Sequence, residues 1–206
     1  MTGEDGWRFD STVREYSNAD GRVLTHADLI EMIEALPTLY VETCYQIAED
    51  LANDGDLERW HNFATDIVSE ALTMSYMLGA GGIDMMTDEL WGALGATVAT
   101  QYDYLNNFAQ SILIGEMTKL QIAARLAQYF AQARSNYWKG FTGSRGFTLP
   151  QVPGDGQTVC KGYCHCHLEF EETPLEWRIR WVLGLAEHCE DCVQLSLQWA
   201  PLVIRK

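Results

Sequence analysis

Four long stretches in the first 140 residues carry apolar side chains at every third or fourth position. They run over 33–51, 57–78, 91–112 and 122–137, and short breaks separate them. This spacing places the apolar side chains on one stripe of an α-helix, which must be buried against another element. No convincing strand alternation precedes residue 145. The pattern therefore predicts a mainly α fold built on a four-helix, up-and-down-like bundle.

Capping-box sequences predict where two of these helices begin. Thr25-His-Ala-Asp28 and Thr118-Lys-Leu-Gln121 each place a cap hydroxyl three residues before a side chain that can accept from the cap's own N–H. Pro37 falls inside the first helix and should either kink it or split it, because proline removes one backbone donor. The Met and aromatic residues of the stripes are interpreted as core, and Cys44 as a buried thiol. No chemistry is assigned to the isolated His26 and His61.

Changes in composition divide the chain into four segments. Residues 1–24 are polar and are predicted to form an N-terminal arm that becomes ordered only against another surface. Residues 25–140 form the predicted bundle, and the Gly- and Pro-rich segment 141–156 is interpreted as a linker or extended loop. Residues 157–206 are predicted to form a small zinc-ribbon-like module with short strands and one helix, near 193–199.

Two clusters of cysteines in this last segment predict a metal site. Cys160-Lys-Gly-Tyr-Cys-His-Cys166 supplies three thiols, and Cys189-Glu-Asp-Cys192 supplies two at the spacing of a tight metal-binding turn. A tetrahedral zinc site needs four ligands, so one thiol is in excess. Cys164 and Cys166 would face the same side of a strand, and either could complete the set. The first choice is Cys160, Cys164, Cys189 and Cys192.

There are alternatives to a metal site made of four thiols. One uses the neighbouring histidines as ligands, and another pairs the cysteines in disulfides. His165 and His188 could replace a thiol or support the ligands from behind, although His165 and His167 should face away from Cys164 and Cys166 on an extended strand. Paired disulfides, or thiols that bind nothing, are the other readings. An all-thiolate zinc site is closed and structural, so no catalytic residue and no enzyme activity are predicted. A cysteine-nucleophile or metal-dependent enzyme is the weakest alternative.

The charge distribution bears on partners. The formal net charge is −15, which argues against a general nucleic-acid binder, because such proteins neutralise phosphates with Lys and Arg. Segment 118–150 is the exception, since it has five basic residues and no acidic one. It is interpreted either as a docking surface for an acidic partner, including a second copy of the chain, or as a solvated helix face. The residues are Lys119, Arg125, Arg134, Lys139 and Arg145.

The beginning of the chain has neither the basic start nor the apolar run of a signal peptide, and no stretch is long and apolar enough to span a bilayer. We therefore expect a soluble protein in a reducing cytoplasm, where clustered thiols more often hold metal than form disulfides.

The order of motifs in the second half of the chain resembles the minor head, or head morphogenesis, proteins of tailed bacteriophages, in the group related to the phage Mu F-like protein. The similarity rests on segments 118–125, 131–137, 153–156, 160–166, 186–192 and 199–202. It implies a virion structural protein that contacts capsid or portal proteins, located in the host cytoplasm during assembly and then in the phage head. It implies no catalytic residues. A zinc-ribbon module that binds nucleic acid through 118–150 and Arg178-x-Arg180 is the alternative.

Overall fold

The computed structural model describes residues 7–185 and 187–206, without the side chains of residues 36–39, 41, 44, 119, 123 and 163. The chain separates after Thr148 into two compact units. This point lies within segment 141–156. The fold is mostly helical, with two small antiparallel sheets. The elements are β1 Arg8–Asp10, β2 Glu15–Ser17, β3 Val23–Leu24, α1 His26–Asp54, α2 Leu57–Ala80, α3 Asp88–Leu113, α4 Lys119–Gly143, β4 His167–Glu172, β5 Glu176–Val182, α5 Glu190–Gln198 and β6 Leu202–Arg205.

Both predicted capping boxes are confirmed. At the start of α1 the Thr25 N–H donates to Asp28 Oδ2 over 2.7 Å, and the Asp28 N–H donates back to Thr25 Oγ1 over 3.2 Å. Thr118 and Gln121 make the same reciprocal pair at the start of α4. Gly55, with φ 71°, ends α1 in the left-handed conformation that favours glycine. Helix α1 runs without interruption through residue 37, so Pro37 does not split it.

Helix α2 contacts α1, α3 and α4, and the core lies between them. Its closest approach is to α4, where Gly79 and Gly140 let the two backbones meet. A Cβ at Gly79 would lie 2.0 Å from the Tyr137 carbonyl oxygen, and one at Gly140 would lie 2.1 Å from the Tyr76 carbonyl oxygen. The interhelical distance at this point is therefore set by the absence of two side chains.

The predicted apolar stripes give more than half of the buried hydrophobic residues of the helical unit. In α4 all five predicted positions are buried, namely Ile122, Leu126, Phe130, Ala133 and Tyr137. Trp91 is an exception, because it is 40% exposed. Leu90 and Leu94, four residues apart, are the buried positions of the first turns of α3, and Trp91 is one residue out of phase with them.

Short strands lie before residue 145, where the sequence shows no convincing strand alternation. Strands β1, β2 and β3 form an antiparallel sheet inside the segment predicted as an arm. Each has two or three residues, too few for an alternating pattern to show. The sheet packs on the helices through the Tyr16 hydroxyl, which donates to the Leu78 carbonyl oxygen over 3.0 Å, and through the Phe9 ring, which lies against Gly81.

The C-terminal unit consists of the antiparallel sheet β4–β5–β6 and helix α5, so the predicted short strands and single α-helix are confirmed. Along β5 the buried residues Trp177, Ile179 and Trp181 alternate with the exposed Arg178 and Arg180. Leu168 of β4, Leu195 of α5 and Trp199 are also buried in this unit. The Trp181 and Trp199 rings meet edge to face, 5.5 Å apart.

Candidate metal centre

The first cysteine cluster lies on a tight turn that leads into β4. Cys160 precedes a 3-10 turn at Lys161–Tyr163, and the Lys161 N–H donates to the Thr158 carbonyl oxygen over 2.8 Å. Lys161 has φ 49°, a left-handed conformation that turns the chain sharply between Cys160 and Cys164. Cys164 and Cys166 are both buried. The exposed His165 lies between them in sequence.

The second cluster lies at the start of α5. Cys189 is the N-cap residue and Cys192 is in the first turn, where the Val193 N–H donates to the Cys189 carbonyl oxygen over 3.2 Å. The helix therefore starts three residues before the predicted position, at Glu190. A helical first turn brings residues three apart onto one side, which is what a Cys-x-x-Cys pair needs to aim both thiols at one point.

The two clusters meet. Sγ of Cys192 lies 3.6 Å from Sγ of Cys160 and 3.6 Å from Sγ of Cys164. The thiols of Cys160, Cys164 and Cys192 lie within 4.8 Å of one another and form a group that could hold a metal ion. A disulfide has its sulfur atoms about 2.05 Å apart, and the five cysteines of these clusters are unbridged.

Cys189 and Cys166 each interact with members of this group of three thiols. Sγ of Cys189 lies 3.6 Å from Sγ of Cys160. The Cys166 thiol interacts with those of Cys164 and Cys192 and is 2% exposed as a residue. Each of these two thiols is therefore near part of the group, whose members among the described residues are Cys160, Cys164 and Cys192 alone. The choice of a fourth ligand stays a prediction.

The pKa values of two thiols in this cluster are raised by burial and by hydrogen bonds. The Cys164 thiol donates to Cys166, which together with burial raises the pKa of Cys164. Burial is the main reason that the pKa of Cys192 is raised. Without a metal, these two residues are therefore neutral thiols at pH 7.

At Cys166 and Cys189 the pKa is lowered instead, which favours the thiolate form. The hydrogen bond from Cys164 lowers the pKa of Cys166 to about 5, and the Gly184 backbone N–H contributes. The Trp181 indole N–H also faces Cys166 and lowers its pKa, although it makes no hydrogen bond of regular geometry with the described residues. Burial opposes ionisation of Cys189, but the backbone N–H groups of Cys192 and Cys160 outweigh it and lower its pKa. Thiolates bind metals, so these donors favour metal uptake.

Sequence reasoning missed two residues that hold the clusters together. Asp191 accepts a hydrogen bond from the Val159 N–H over 2.8 Å, and so ties the start of α5 to the Cys160 turn. Gly184 lies so close to the preceding loop that a Cβ would be 2.3 Å from the His165 carbonyl oxygen. An acid between two cysteines and a glycine after a strand were the available signals, but neither is specific.

The histidines do not join the group of three thiols. His165 is exposed and His188 is half-buried, and within the described part of the chain only Cys160, Cys164 and Cys192 make up the group. The ligand atoms found together here are therefore sulfur alone.

The predicted basic strip is not a continuous surface. Arg134 is buried, and its guanidinium pairs with the carboxylate of Glu34 on α1. Arg125 lies over the Phe108 ring, and Arg145 lies over the Phe141 ring and donates to the Phe141 carbonyl oxygen over 2.9 Å. Lys139 is exposed, and the side chain of Lys119 is outside the described part. Three of the five cations therefore serve internal contacts.

A comparison with protein-family models finds no match to this chain, and comparisons with curated proteins and with solved structures find none either. The resemblance to phage head proteins stays a prediction that rests on the order of the motifs. Among the described residues, no helix combines the length and the apolar character needed to cross a membrane.

Proposed function

We propose that this chain is a structural protein of a tailed-phage head, a minor head or head morphogenesis protein, that acts through protein contacts. In this proposal the four long helices form a bundle that presents contact surfaces, and a zinc-ribbon-like C-terminal unit is locked by one structural zinc ion. The chain works with capsid or portal proteins in the host cytoplasm and then stays in the head.

The observation that carries the proposal is the convergence of thiols from two distant turns. A tetrahedral site with Zn–S bonds of about 2.3 Å has its sulfur atoms about 3.8 Å apart. The separations from Cys192 to Cys160 and to Cys164 are 3.6 Å each. Two of the three separations are therefore already close to the spacing of a zinc site, and all three thiols lie within 4.8 Å of one another. In this proposal Cys166 or Cys189 supplies the fourth ligand.

An all-sulfur donor set favours a structural role over a catalytic one. Catalytic zinc sites keep an open position for water or substrate, usually beside His or carboxylate ligands, whereas four thiolates close the coordination sphere. Zinc supplies folding energy at such a site, because the unfolded chain does not hold the ligands together. A protein whose metal site has no open coordination position is better suited to binding and assembly than to catalysing a reaction.

Charge supports protein partners over nucleic acid. The formal net charge is −15, and the buried Arg134 and the ring-stacked Arg145 are used inside the helical unit. Few cations of segment 118–150 are left to neutralise phosphates, so strong salt-dependent DNA binding is not expected. The resemblance of the motif order to that of phage head proteins is the reason for proposing the phage head as the assembly.

The zinc site is tested by metal analysis of the full chain purified without chelator. We expect about one zinc per chain, with loss of zinc in Cys192→Ser and retention in Cys44→Ser, which removes a thiol from the other unit. Zinc-free protein with unbound thiols, or equal zinc content in both variants, would contradict the site.

The assembly role is tested separately by sedimenting the chain with heads assembled from the capsid and portal proteins of the phage that encodes it. We expect the chain to pellet with heads and to stay in solution without them. Failure to associate with any head component would refute the assembly role even if zinc is present. Tight, salt-sensitive binding to DNA would favour the nucleic-acid alternative instead.

A further inference from the structure

A cavity of about 240 Å³ lies in the helical unit, between the N-terminal sheet, the start of α1 and the end of α4. The β1–β2 turn, β2 and the loop before α1 form one side of it. The last turns of α4 and Gly79 of α2 form the other. Its volume is below the roughly 300 Å³ at which pockets for drug-sized ligands begin, so any occupant is small.

Two arginines from distant parts of the chain line this cavity. Arg14 ends the β1–β2 turn with φ 55°, a left-handed conformation that is uncommon outside glycine, asparagine and aspartate. Arg145 follows α4, and its guanidinium carbon lies 3.5 Å from the centre of the Phe141 ring. The hydrogen bond from Arg145 Nη1 to the Phe141 carbonyl oxygen fixes the guanidinium plane further. Arg145 is therefore held in place before any ligand arrives, which lowers the entropic cost of binding.

The cavity also contains an imidazole and two phenols. His26 Nδ1 and the Tyr137 hydroxyl form a short hydrogen bond, and the His26 ring meets Phe141 edge to face at 4.7 Å. Burial raises the pKa of both Tyr16 and Tyr137, while the nearby positive charge of Arg145 opposes that rise. Both phenols are neutral at pH 7, so they bring dipoles and no negative charge to the cavity.

Only one acidic side chain, Glu15, is among the described residues that line the cavity. Two arginines and one carboxylate leave one positive charge in excess, which suits a ligand with a single negative charge. The rest of the wall is largely apolar and includes Phe9, Leu29 and Leu78. A ligand that matches both features has one anionic group beside the arginines and a compact apolar body against this wall.

We propose that this cavity binds a small monocarboxylate with a compact apolar body, its carboxylate held between Arg14 and Arg145. Arginine is suited to this role because its planar guanidinium can donate two parallel hydrogen bonds to a carboxylate. The site is independent of the thiol cluster and of the proposed assembly role.

The test uses two probes of the same shape on the full-length chain. Phenylacetate carries the charge, and phenylacetamide replaces it with a neutral amide. Binding is followed by nuclear magnetic resonance titration in wild type and in Arg14→Gln, Arg145→Gln and Arg8→Gln. Arg8 is a matched control because it is exposed on β1 and does not line the cavity.

We expect phenylacetate to bind wild type and Arg8→Gln equally, and the amide to bind at least about tenfold more weakly. Arg14→Gln and Arg145→Gln should each weaken phenylacetate binding by about tenfold or more, because a charge-assisted hydrogen bond is lost. Absence of phenylacetate binding, equal affinity for the amide, or an equal loss in Arg8→Gln would overturn the proposal. If Arg145→Gln fails to fold by circular dichroism, the comparison of Arg14→Gln with Arg8→Gln decides.

Discussion

Replacing either glycine at the α2–α4 contact should drive the two helices apart. In Gly79→Ala the new methyl group would start 2.0 Å from the Tyr137 carbonyl oxygen, and in Gly140→Ala 2.1 Å from that of Tyr76. Ordinary contact for a Cβ begins at 3.4 Å, so each contact is some 1.3–1.4 Å too short. The opposing atoms belong to backbone, which cannot rotate away as a side chain can. The helices themselves must move.

The size of the effect follows from two opposing terms. Alanine is the better helix former, which favours each variant by about 0.5–1 kcal/mol. Overpacking a close-packed interior costs typically about 1–3 kcal/mol, and a rigid backbone contact belongs at the upper end. Moving α2 from α4 also loosens the buried contacts of Tyr76 and Tyr137 on either side. We therefore expect a net loss of about 1–3 kcal/mol in the free energy of unfolding.

Gly92→Ala provides the control, because it makes the same chemical change in α3 with nothing within 4 Å of the new Cβ. It should raise stability by about 0.5–1 kcal/mol. The assay is urea unfolding of the full chain, followed by helical circular dichroism, which reports chiefly on α1–α4. Opposite signs for Gly92→Ala and the two contact variants are the expected result. The packing argument fails if Gly79→Ala and Gly140→Ala are as stable as wild type, or if all three variants shift together.

Three smaller predictions concern a helix cap, the N-terminal sheet and the metal. Thr25→Ala should destabilise the protein by about 1 kcal/mol through loss of the α1 cap. Hydrogen bonds from Thr25 lower the pKa of Asp28, so the contribution of its carboxylate is present above the ordinary carboxyl pKa of about 3.9 and is lost as pH falls through the folded-state value. Acid titration of unfolding should therefore show Asp28→Asn less stable than wild type near neutrality and converging with it in acid. Tyr16→Phe should cost about 1 kcal/mol in urea unfolding, because the Leu78 carbonyl oxygen loses its donor; an unchanged midpoint would count against that contact. If zinc joins the two cysteine clusters, chelation should speed amide exchange in β4 and β5 most at the His167–Val182 end, and uniform exchange would contradict this.

The helical part of the fold was accessible from sequence because each long helix carries a repeated signal. The stripe of α4 has five apolar positions in register, and a capping box fixes its first residue. The apolar stripe and the capping box then independently predict the same helix. Trp91 shows the limit of this reasoning, since a large apolar residue one position out of phase can still be read into a stripe, and only packing decides which side of the helix is covered.

The N-terminal sheet was not accessible, because its stability comes from contacts distant in sequence. Strands of two or three residues carry no periodic signal, and the hydrogen bond from Tyr16 to Leu78 spans 62 positions. The same holds for the cavity. His26 was an isolated residue in the sequence, and it acquires neighbours only when α1 starts beside the end of α4.

The cysteine cluster could be predicted from the sequence only in part. The spacing within each cluster could be read directly, and it pointed to the group of three thiols and to the two thiols that interact with its members. The sequence could not choose the fourth ligand. Cys164 and Cys166 are both buried and Cys189 is fixed as the N-cap of α5, so the choice among them depends on how the two loops fold and not on the spacing of the cysteines.

The topology of the C-terminal unit explains why two distant clusters meet at all. In the β4–β5 hairpin His167 pairs with Val182, so the start of β4 and the end of β5 lie at one end of the sheet. The first cysteine cluster comes just before β4, and the second is reached by a short loop after β5. The other end is closed by a turn in which Thr173 accepts from and donates to Glu176. The buried residues Trp177, Ile179 and Leu168 hold the middle of the hairpin by apolar packing. The thiols, the Asp191 contact and a bound metal would act beyond His167 and Val182, where they add to the close approach of Gly184 to the His165 carbonyl oxygen.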